Sequence, residues 1–337
     1  MIIQTQSYPR AAIIGNPSDG YNGKTIAFVF SNFSARITLY ESPELEIIPS
    51  ALDLSIFSDM KHLADHVNFS GYYGGIRLLK AMIKTFYEYC VEENISLPDK
   101  NFTMRYFSDI PQRLGLAGSS AIITAGLKAL SQFYGVKIEA HTLANLILSV
   151  EINELGISAG LQDRVAQAYE HPVFMDFDKE FMDKHGYGRY SLLDPDKLPA
   201  FYIAYMRDQS EGSEITHNNL KARYLSGEPA ILDAIEEWAS LSSQMKSCIE
   251  SGQLEEIPAL IDRNYDLREN LLSIKKEYSN MVKLARKIGA SAKFTGSGGA
   301  IIGTYQDETM YQVMKINFKK AGIDLIKPII VVTSHES

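Results

Sequence analysis

An α+β architecture is the prediction for this 337-residue chain. Three observations carry it. Short β-type runs are interleaved with helical stretches, a Gly/Ser cluster stands directly before a run of helical spacing, and a strand, a Gly-rich turn and a second strand follow near the C-terminus. The first elements read as strands, "AAIIG", "TIAFVF" and "ARITLY", with the loop "NPSDGYNGK" and its turn residues Asn16, Pro17, Asp19 and Gly20 between the first two. A helix is expected from about Gly74 to Cys90, with Ile76, Leu79, Ile83, Phe86 and Tyr87 on one face. Strand "FTMRYF" then leads into "PQRLGLAGSSAIITAG", Pro111 to Gly126. Here Ile122, Ala125, Ala129 and Leu130 fall at the i, i+3, i+7, i+8 offsets of one buried helix face. A helix from His141 to Glu154, the loop "LGISAG" and a helix "LQDRVAQAY" follow.

Between Pro172 and Pro199 the chain turns irregular and rich in Asp and Tyr, which places a domain boundary there. The second part opens with strand "FYIAYM" and continues through long helices to Lys287, stopping at Gly289. It closes with "AKFTGSGGAIIGTY" as strand, turn and strand, a helix near Glu308 to Ala321 and a final strand "DLIKPIIVVT".

Composition excludes several function classes. The formal charge is −8 with no block of like charge, which disfavours a nucleic-acid partner. The N-terminal "MIIQTQSYPRAAIIG" lacks the pattern of a signal peptide, and no apolar run approaches a membrane span, so a soluble cytoplasmic protein is expected. Cys90 and Cys248 are far apart and without CxxC spacing, which indicates neither a disulfide framework nor a zinc site.

Several residues stand out chemically. The Gly/Ser cluster before the helical run of Ile122 to Leu130 reads either as a cap or as an anion cradle, because glycines admit close backbone approach and a helix N-terminus offers free N–H groups. "SDGYNGKT" is a decoy for a P-loop: Ser18 stands where the first glycine belongs, and "IAFVF" after it is a strand where a P-loop opens a helix. On the helix from His141, Leu143, Leu146, Ile147 and Val150 form a stripe, and eight residues beyond Leu143 the same face reaches Glu151. A carboxylate there needs a cation, an ion pair with an arginine or a metal, unless the helix end has already reached solvent. Asp163 falls in the first turn of the next helix, favourable for an acid in its own right. "TGSGG", Thr295 to Gly299, has more small residues than a tight hairpin needs.

In their order these segments resemble the GHMP kinases, the superfamily of galactokinase, homoserine kinase, mevalonate kinase and phosphomevalonate kinase. "PRAAIIGNPSDGYNGK", "PQRLGLAGSSAIITAG" and "AKFTGSGGAIIG" are similar to its motifs one, two and three. "GYYGGIRLLKA", "GLAGSSAI" and "ELGISAGLQDRVAQAYEHPVFMDF" are similar to the glucuronokinase group within it. The resemblance implies a GHMP kinase fold: an N-terminal ribosomal-protein-S5-domain-2-like, ATP-binding domain over residues 1–175 and a C-terminal ferredoxin-like α+β domain over 176–337. It implies ATP and Mg²⁺ as cofactors, a small sugar acid as substrate, no nucleic-acid or membrane partner, and a monomer or homodimer. By position, Gly115, Leu116, Ala117, Gly118, Ser119 and Ser120 would cradle the ATP phosphates. Ser120, or its neighbour Ser119, and Glu151 would hold the metal. Asp163 would receive or orient the attacking hydroxyl's proton, with Arg10 beside the transferring phosphoryl group. Asp19, Gly296, Ser297 and Gly298 would contact substrate.

The chain departs from the common pattern in two places. Ala117 makes motif two G-L-A-G-S-S-A, one residue longer than usual, which leaves the metal serine open between Ser119 and Ser120. Asn16-Pro17-Ser18 stand where galactokinases have Glu-His-Thr, so galactose is not implied. The resemblance implies phosphorylation of the anomeric hydroxyl of a uronic acid, D-glucuronate. The alternatives are a kinase of galacturonate or a neutral sugar, and a non-catalytic sensor of ATP and sugar. Arg77 and Arg268 are candidates for the uronate carboxylate or else solvated helix charges, and Tyr72 and Tyr73 for sugar contacts or mere packing.

Overall fold

The computed structural model describes residues 1–49, 53, 59–60, 74–206 and 214–333; Tyr72 and Tyr73 lie outside them. In chain order the strands and helices begin β1 (Ile2–Ser7), β2 (Arg10–Ile14), β3 (Lys24–Val29), β4 (Ala35–Ser42) and β5 (Glu46–Ile48). Then come α1 (Gly75–Glu92), β6 (Asn101–Ser108), α2 (Gly118–Tyr134), α3 (Ala140–Ser149) and α4 (Leu161–Tyr169). They continue with β7 (Val173–Asp176), α5 (Lys179–His185), β8 (Arg189–Leu192), β9 (Phe201–Met206) and α6 (Glu214–Leu225). The last are α7 (Pro229–Ser251), α8 (Ile257–Leu271), α9 (Lys276–Lys287), β10 (Lys293–Phe294), β11 (Ala300–Thr304), α10 (Glu308–Lys320) and β12 (Ile323–Ile326). This is the expected α+β class. Among the described residues no helix is long and apolar enough to cross a membrane.

The chain forms two compact units whose segments interleave. The first comprises Met1–Pro9, Phe33–Ile110 and Ala117–Ala168, and the second Arg10–Asn32, Pro111–Leu116 and Tyr169–Ser337.

In the first unit a sheet of order β1-β4-β6-β5 is antiparallel except for the β5–β6 pair. Period-two alternation turns Ile3, Thr5, Ile37, Leu39, Phe102 and Met104 inward. Helix α2 lies on that face, and Thr5 donates its hydroxyl to Ala125 O at 2.6 Å. Because α2 is apolar almost all round, it is buried almost all round: Ala121, Ile123, Ala125, Leu127, Ala129 and Leu130 have no exposure. Helix α1 packs on it through Leu79, Met82 and Phe86, and Gly126 makes room for Met82. The buried face of α1 is thus the 78–82–86–90 row with Leu79; Tyr87, expected on it, is 60% exposed.

In the second unit, β2-β3-β7-β8 form one antiparallel sheet and β10-β11-β9-β12 another. Ala11 to Ile14 and Ile26 to Phe30 are covered on both sides, which explains their continuous apolar character. A strand at Lys24–Val29 confirms that "SDGYNGKT" is no P-loop. The second sheet builds its core from Tyr202, Tyr265, Phe294, Ile301, Met314 and Phe318.

Two readings of the sequence are corrected here. The stretch Pro172–Pro199 is not irregular: β7, α5 and β8 occupy most of it, with β7 pairing to β3. The final strand ends at Ile326, before Pro328, and among the described residues beyond it the remaining strand-type pairing is an isolated bridge from Ile330 to Phe30.

The tightest backbone approach in the second sheet is at Gly303, where an added Cβ would stand 1.7 Å from Ser291 O. Gly303→Ala is expected to lower the free energy of urea unfolding by ~1–3 kcal/mol with the denaturant slope unchanged.

Candidate functional site

In the first unit, the site starts from how α2 begins. Ala117 takes the left-handed conformation (φ 60°, ψ 44°) and no side chain caps the helix. The two motif serines are engaged elsewhere. Ser119 Oγ donates to Glu151 Oε1 at 2.8 Å, while buried Ser120 donates to Ala117 O at 3.1 Å. Ala117 O also accepts from Gln167 Nε2 at 2.9 Å and Ala121 N at 3.1 Å. The N–H groups of Gly118, Ser119 and Ser120 meet no acceptor among the described residues. Such a helix end concentrates donors and positive dipole at one point and suits an anion. The capping reading of the Gly/Ser cluster does not hold.

Glu151 lies on the core face, as the stripe predicted, with no exposure. Helix α3 does not simply continue to it: Val150–Glu154 form a π-helical turn, a local widening common at functional sites. Its carboxylate has two distinct oxygens. Oε1 accepts from Ser119, and Oε2 accepts from Arg164 through both Nε, at 2.6 Å, and Nη2. Arg164 in turn donates from Nη1 to Gly160 O at 2.9 Å and lies 3.2 Å from Asp163 Oδ2. Asp163 is in the first turn of α4, as expected, with its side chain 18% exposed. Ser119, Glu151, Arg164 and Asp163 therefore form one connected polar chain.

Arg164 was missed in the sequence. The signal was the one that exposed Glu151, since Leu161, Arg164, Val165 and Ala168 follow i, i+3, i+4, i+7 and put a cation on a core-facing stripe. Of the two serines open for the metal, Ser120 and Ser119, the structure pairs Ser119 with Glu151 and turns Ser120 back into its own loop.

In the second unit, motif one, the start of motif two and motif three converge. Arg10, 4% exposed, donates from Nη1 to Thr295 O at 2.5 Å and Gly115 O at 3.2 Å, and its N–H to Leu116 O at 3.0 Å. Gly115 (φ +65°) and Gly296 permit this closeness. A Cβ on Gly115 would stand 2.9 Å from Ser297 N, and one on Gly296 2.5 Å from Gly115 O. Asn264 of α8 fixes the motif-one loop, accepting from Gly15 N at 2.6 Å and donating to Asn16 O at 3.2 Å. Asp19 lies in the half-buried turn Ser18–Tyr21 and interacts electrostatically with Lys293 and Tyr21.

The two arginines considered for a substrate carboxylate differ. Arg268 is no solvated charge: it is buried, spans Gly296 O (2.8 Å) and Ser297 O (3.1 Å), and lies over Phe294. Its guanidinium thus supports the motif-three turn, and burial pushes it down to about 10. Arg77 is exposed and donates to Leu155 O at 2.8 Å.

Residues 77–171 match the family model described as the GHMP kinases N terminal domain. The chain is 39% identical to a protein named probable glucuronokinase 2 of Arabidopsis thaliana, with 100% of this chain and 93% of that protein covered. The chain belongs to the GHMP kinases. Glucuronokinase 1 of the same plant is 38% identical, with 96% of this chain and 91% of that one covered. The crystal structure of Lactococcus lactis galactokinase complexed with galactose aligns over 100% of this chain and 95% of its own, with a TM-score of 0.75 at 13% identity, which shows a shared fold. This GHMP kinase is an ATP-dependent kinase.

Lys293 is another residue the sequence reading passed over. It is 1% exposed, and its Nζ donates to Ala12 O at 2.8 Å and Phe294 O at 2.9 Å. Two acceptors satisfy a neutral amine but leave the third proton of an ammonium unmatched. Burial, with Arg268 and Arg10 nearby, pushes the group well below the usual lysine range, against the opposing pull of Asp19. The unfolded chain then holds the extra proton over the interval between the folded and unfolded values, so stability from this group rises with pH across it. Between pH 7 and 9.5, wild type is expected to gain stability relative to Lys293→Met, measured by urea unfolding at each pH. Parallel curves for the two proteins would contradict this.

Proposed function

We propose that this kinase transfers the γ-phosphoryl group of Mg²⁺-ATP to the anomeric hydroxyl of D-glucuronate, giving D-glucuronate 1-phosphate. The observation that carries the reading is the 38–39% identity to two proteins named as glucuronokinases, sustained over nearly the whole of each chain. The reading keeps residues 1–175 as the ATP-binding domain and 176–337 as the second domain, and places the enzyme in the cytoplasm, in keeping with two free, buried cysteines.

The residues fit a divalent metal of the Mg²⁺ kind. Ser119 Oγ and Glu151 Oε1 are hard oxygen donors 2.8 Å apart. Arg164 occupies Oε2, so Oε1 is the oxygen that would be offered to a metal. When bound, Mg²⁺ neutralises charge on the ATP phosphates. The uncapped start of α2, Gly118 to Ser120, supplies N–H donors to the same phosphates, with Gly115, Leu116 and Ala117 shaping the loop.

The sugar hydroxyl attacks the γ-phosphorus as the bond to the β-phosphate oxygen breaks, and its proton passes to the Asp163 carboxylate. Arg164, 3.2 Å from Asp163, orients that carboxylate. Arg10 is assigned to charge on the transferring phosphoryl group. Asp19, Gly296, Ser297 and Gly298 are assigned to the sugar.

The decisive assay measures ADP release with Mg²⁺-ATP and D-glucuronate, D-galacturonate, galactose or mevalonate. Turnover is expected with glucuronate, and Asp163→Ala is expected to lower kcat by ~10²–10⁴-fold. Turnover with another sugar alone would discard the substrate, and nucleotide binding without turnover on any of them would discard the enzyme reading. Ser119→Ala is expected to raise the Mg²⁺ concentration for half-maximal rate at least about tenfold, while Ser120→Ala leaves that concentration unchanged.

A further inference from the structure

Glu151 has no solvent exposure, and Arg164 supplies its counter-charge with two donors on Oε2. The same guanidinium reaches Asp163 Oδ2 at 3.2 Å and Gly160 O at 2.9 Å, so one cation serves two carboxylates. Without it, a lone buried carboxylate would be strongly unfavourable and would draw in any available cation. The protein offers little else to such an ion. Among the described residues no group of three or more His, Cys, Asp or Glu side chains is placed to hold a metal, and the remaining donor beside Oε1 is the hydroxyl of Ser119. A small, reluctantly dehydrated cation needs more than these two oxygens.

We infer that Arg164 is a positioning residue that makes metal capture conditional on nucleotide: by neutralising Glu151 it leaves the free protein without standing affinity for a divalent cation, which enters only with phosphate oxygens. The inference rests on Ser119 and Glu151 as the metal ligands. It explains why the arginine grips only Oε2. That grip keeps the carboxylate positioned in the metal-free state and leaves Oε1 for exchange between the serine proton and the ion.

Mn²⁺ binding, followed by loss of the free-ion EPR signal beyond that of the same Mn²⁺ and ADP without protein, tests it on the full chain. Wild type is expected to take up Mn²⁺ with ADP present and not with Mn²⁺ alone, and Mn²⁺ alone should leave its thermal midpoint unmoved. Arg164→Met keeps the apolar stem and removes the charge; it should bind Mn²⁺ without nucleotide at least about tenfold more tightly than wild type, with a raised thermal midpoint. Adding Glu151→Gln should abolish that gain, and Arg164→Lys should retain the dependence on nucleotide. Recovery of Arg164→Met as a folded protein only with Mn²⁺ supports the same conclusion. Glu151-dependent uptake by wild type without nucleotide overturns it, as does an Arg164→Met protein, folded or unfolded, on which Mn²⁺ has no effect. Failure of the underlying metal assignment is distinct: Glu151→Gln alone would then leave nucleotide-dependent uptake intact.

Discussion

A carboxylate with no exposure has to be matched by charge, and the first unit is arranged around that requirement at Glu151. Removing one partner of a buried pair costs about 3–5 kcal/mol, so Glu151 and Arg164 constrain each other's elements strongly. The π-helical turn at Val150–Glu154 and the start of α4 at Leu161 bring the two side chains into register. Once α4 is set, Gln167 falls one turn further along it and donates to both Ala117 O and Tyr8 O. The conformation of Ala117, from which α2 starts, is thus tied to the same ion pair through one short helix.

How much of this was legible in the sequence depends on whether the deciding interaction is local. The α+β class, the strands at Phe201–Met206 and Ala300–Thr304 and the helices around Glu151 and Asp163 follow from periodicity and turn chemistry, which are local. The buried position of Glu151 was legible because a charge interrupted an apolar stripe. Arg164 sent the same signal and needed only to be read together with Glu151. Which of Ser119 and Ser120 bonds to Glu151 was not legible: neighbours on a helix point about 100° apart, so the answer turns on where α2 begins, which Ala117 decides by a left-handed conformation. Strands β7 and β8 went unread for a different reason. Each has four residues, among Asp and Tyr, and β7 acquires strand character from pairing with β3, far away in sequence.

The two Gly-rich segments obey one construction rule. At the start of α2, Ala117 O accepts from Ala121 N, Ser120 Oγ and Gln167 Nε2, while Gly118 to Ser120 offer N–H groups with no acceptor among the described residues. In motif three, Thr295 O accepts from Arg10 and Ala12, Gly296 O and Ser297 O accept from Arg268, and Gly299 O accepts from Met206 N. The N–H groups of Gly296 to Gly299 meet no acceptor among the described residues. In each case the protein's own donors saturate carbonyl oxygens and leave consecutive amides unmatched, a form that recognises negatively charged oxygen. Buried cations do this in motif three at a cost in desolvation, visible in the lowered Arg268, and the gain is a turn whose donors are fixed before any ligand arrives.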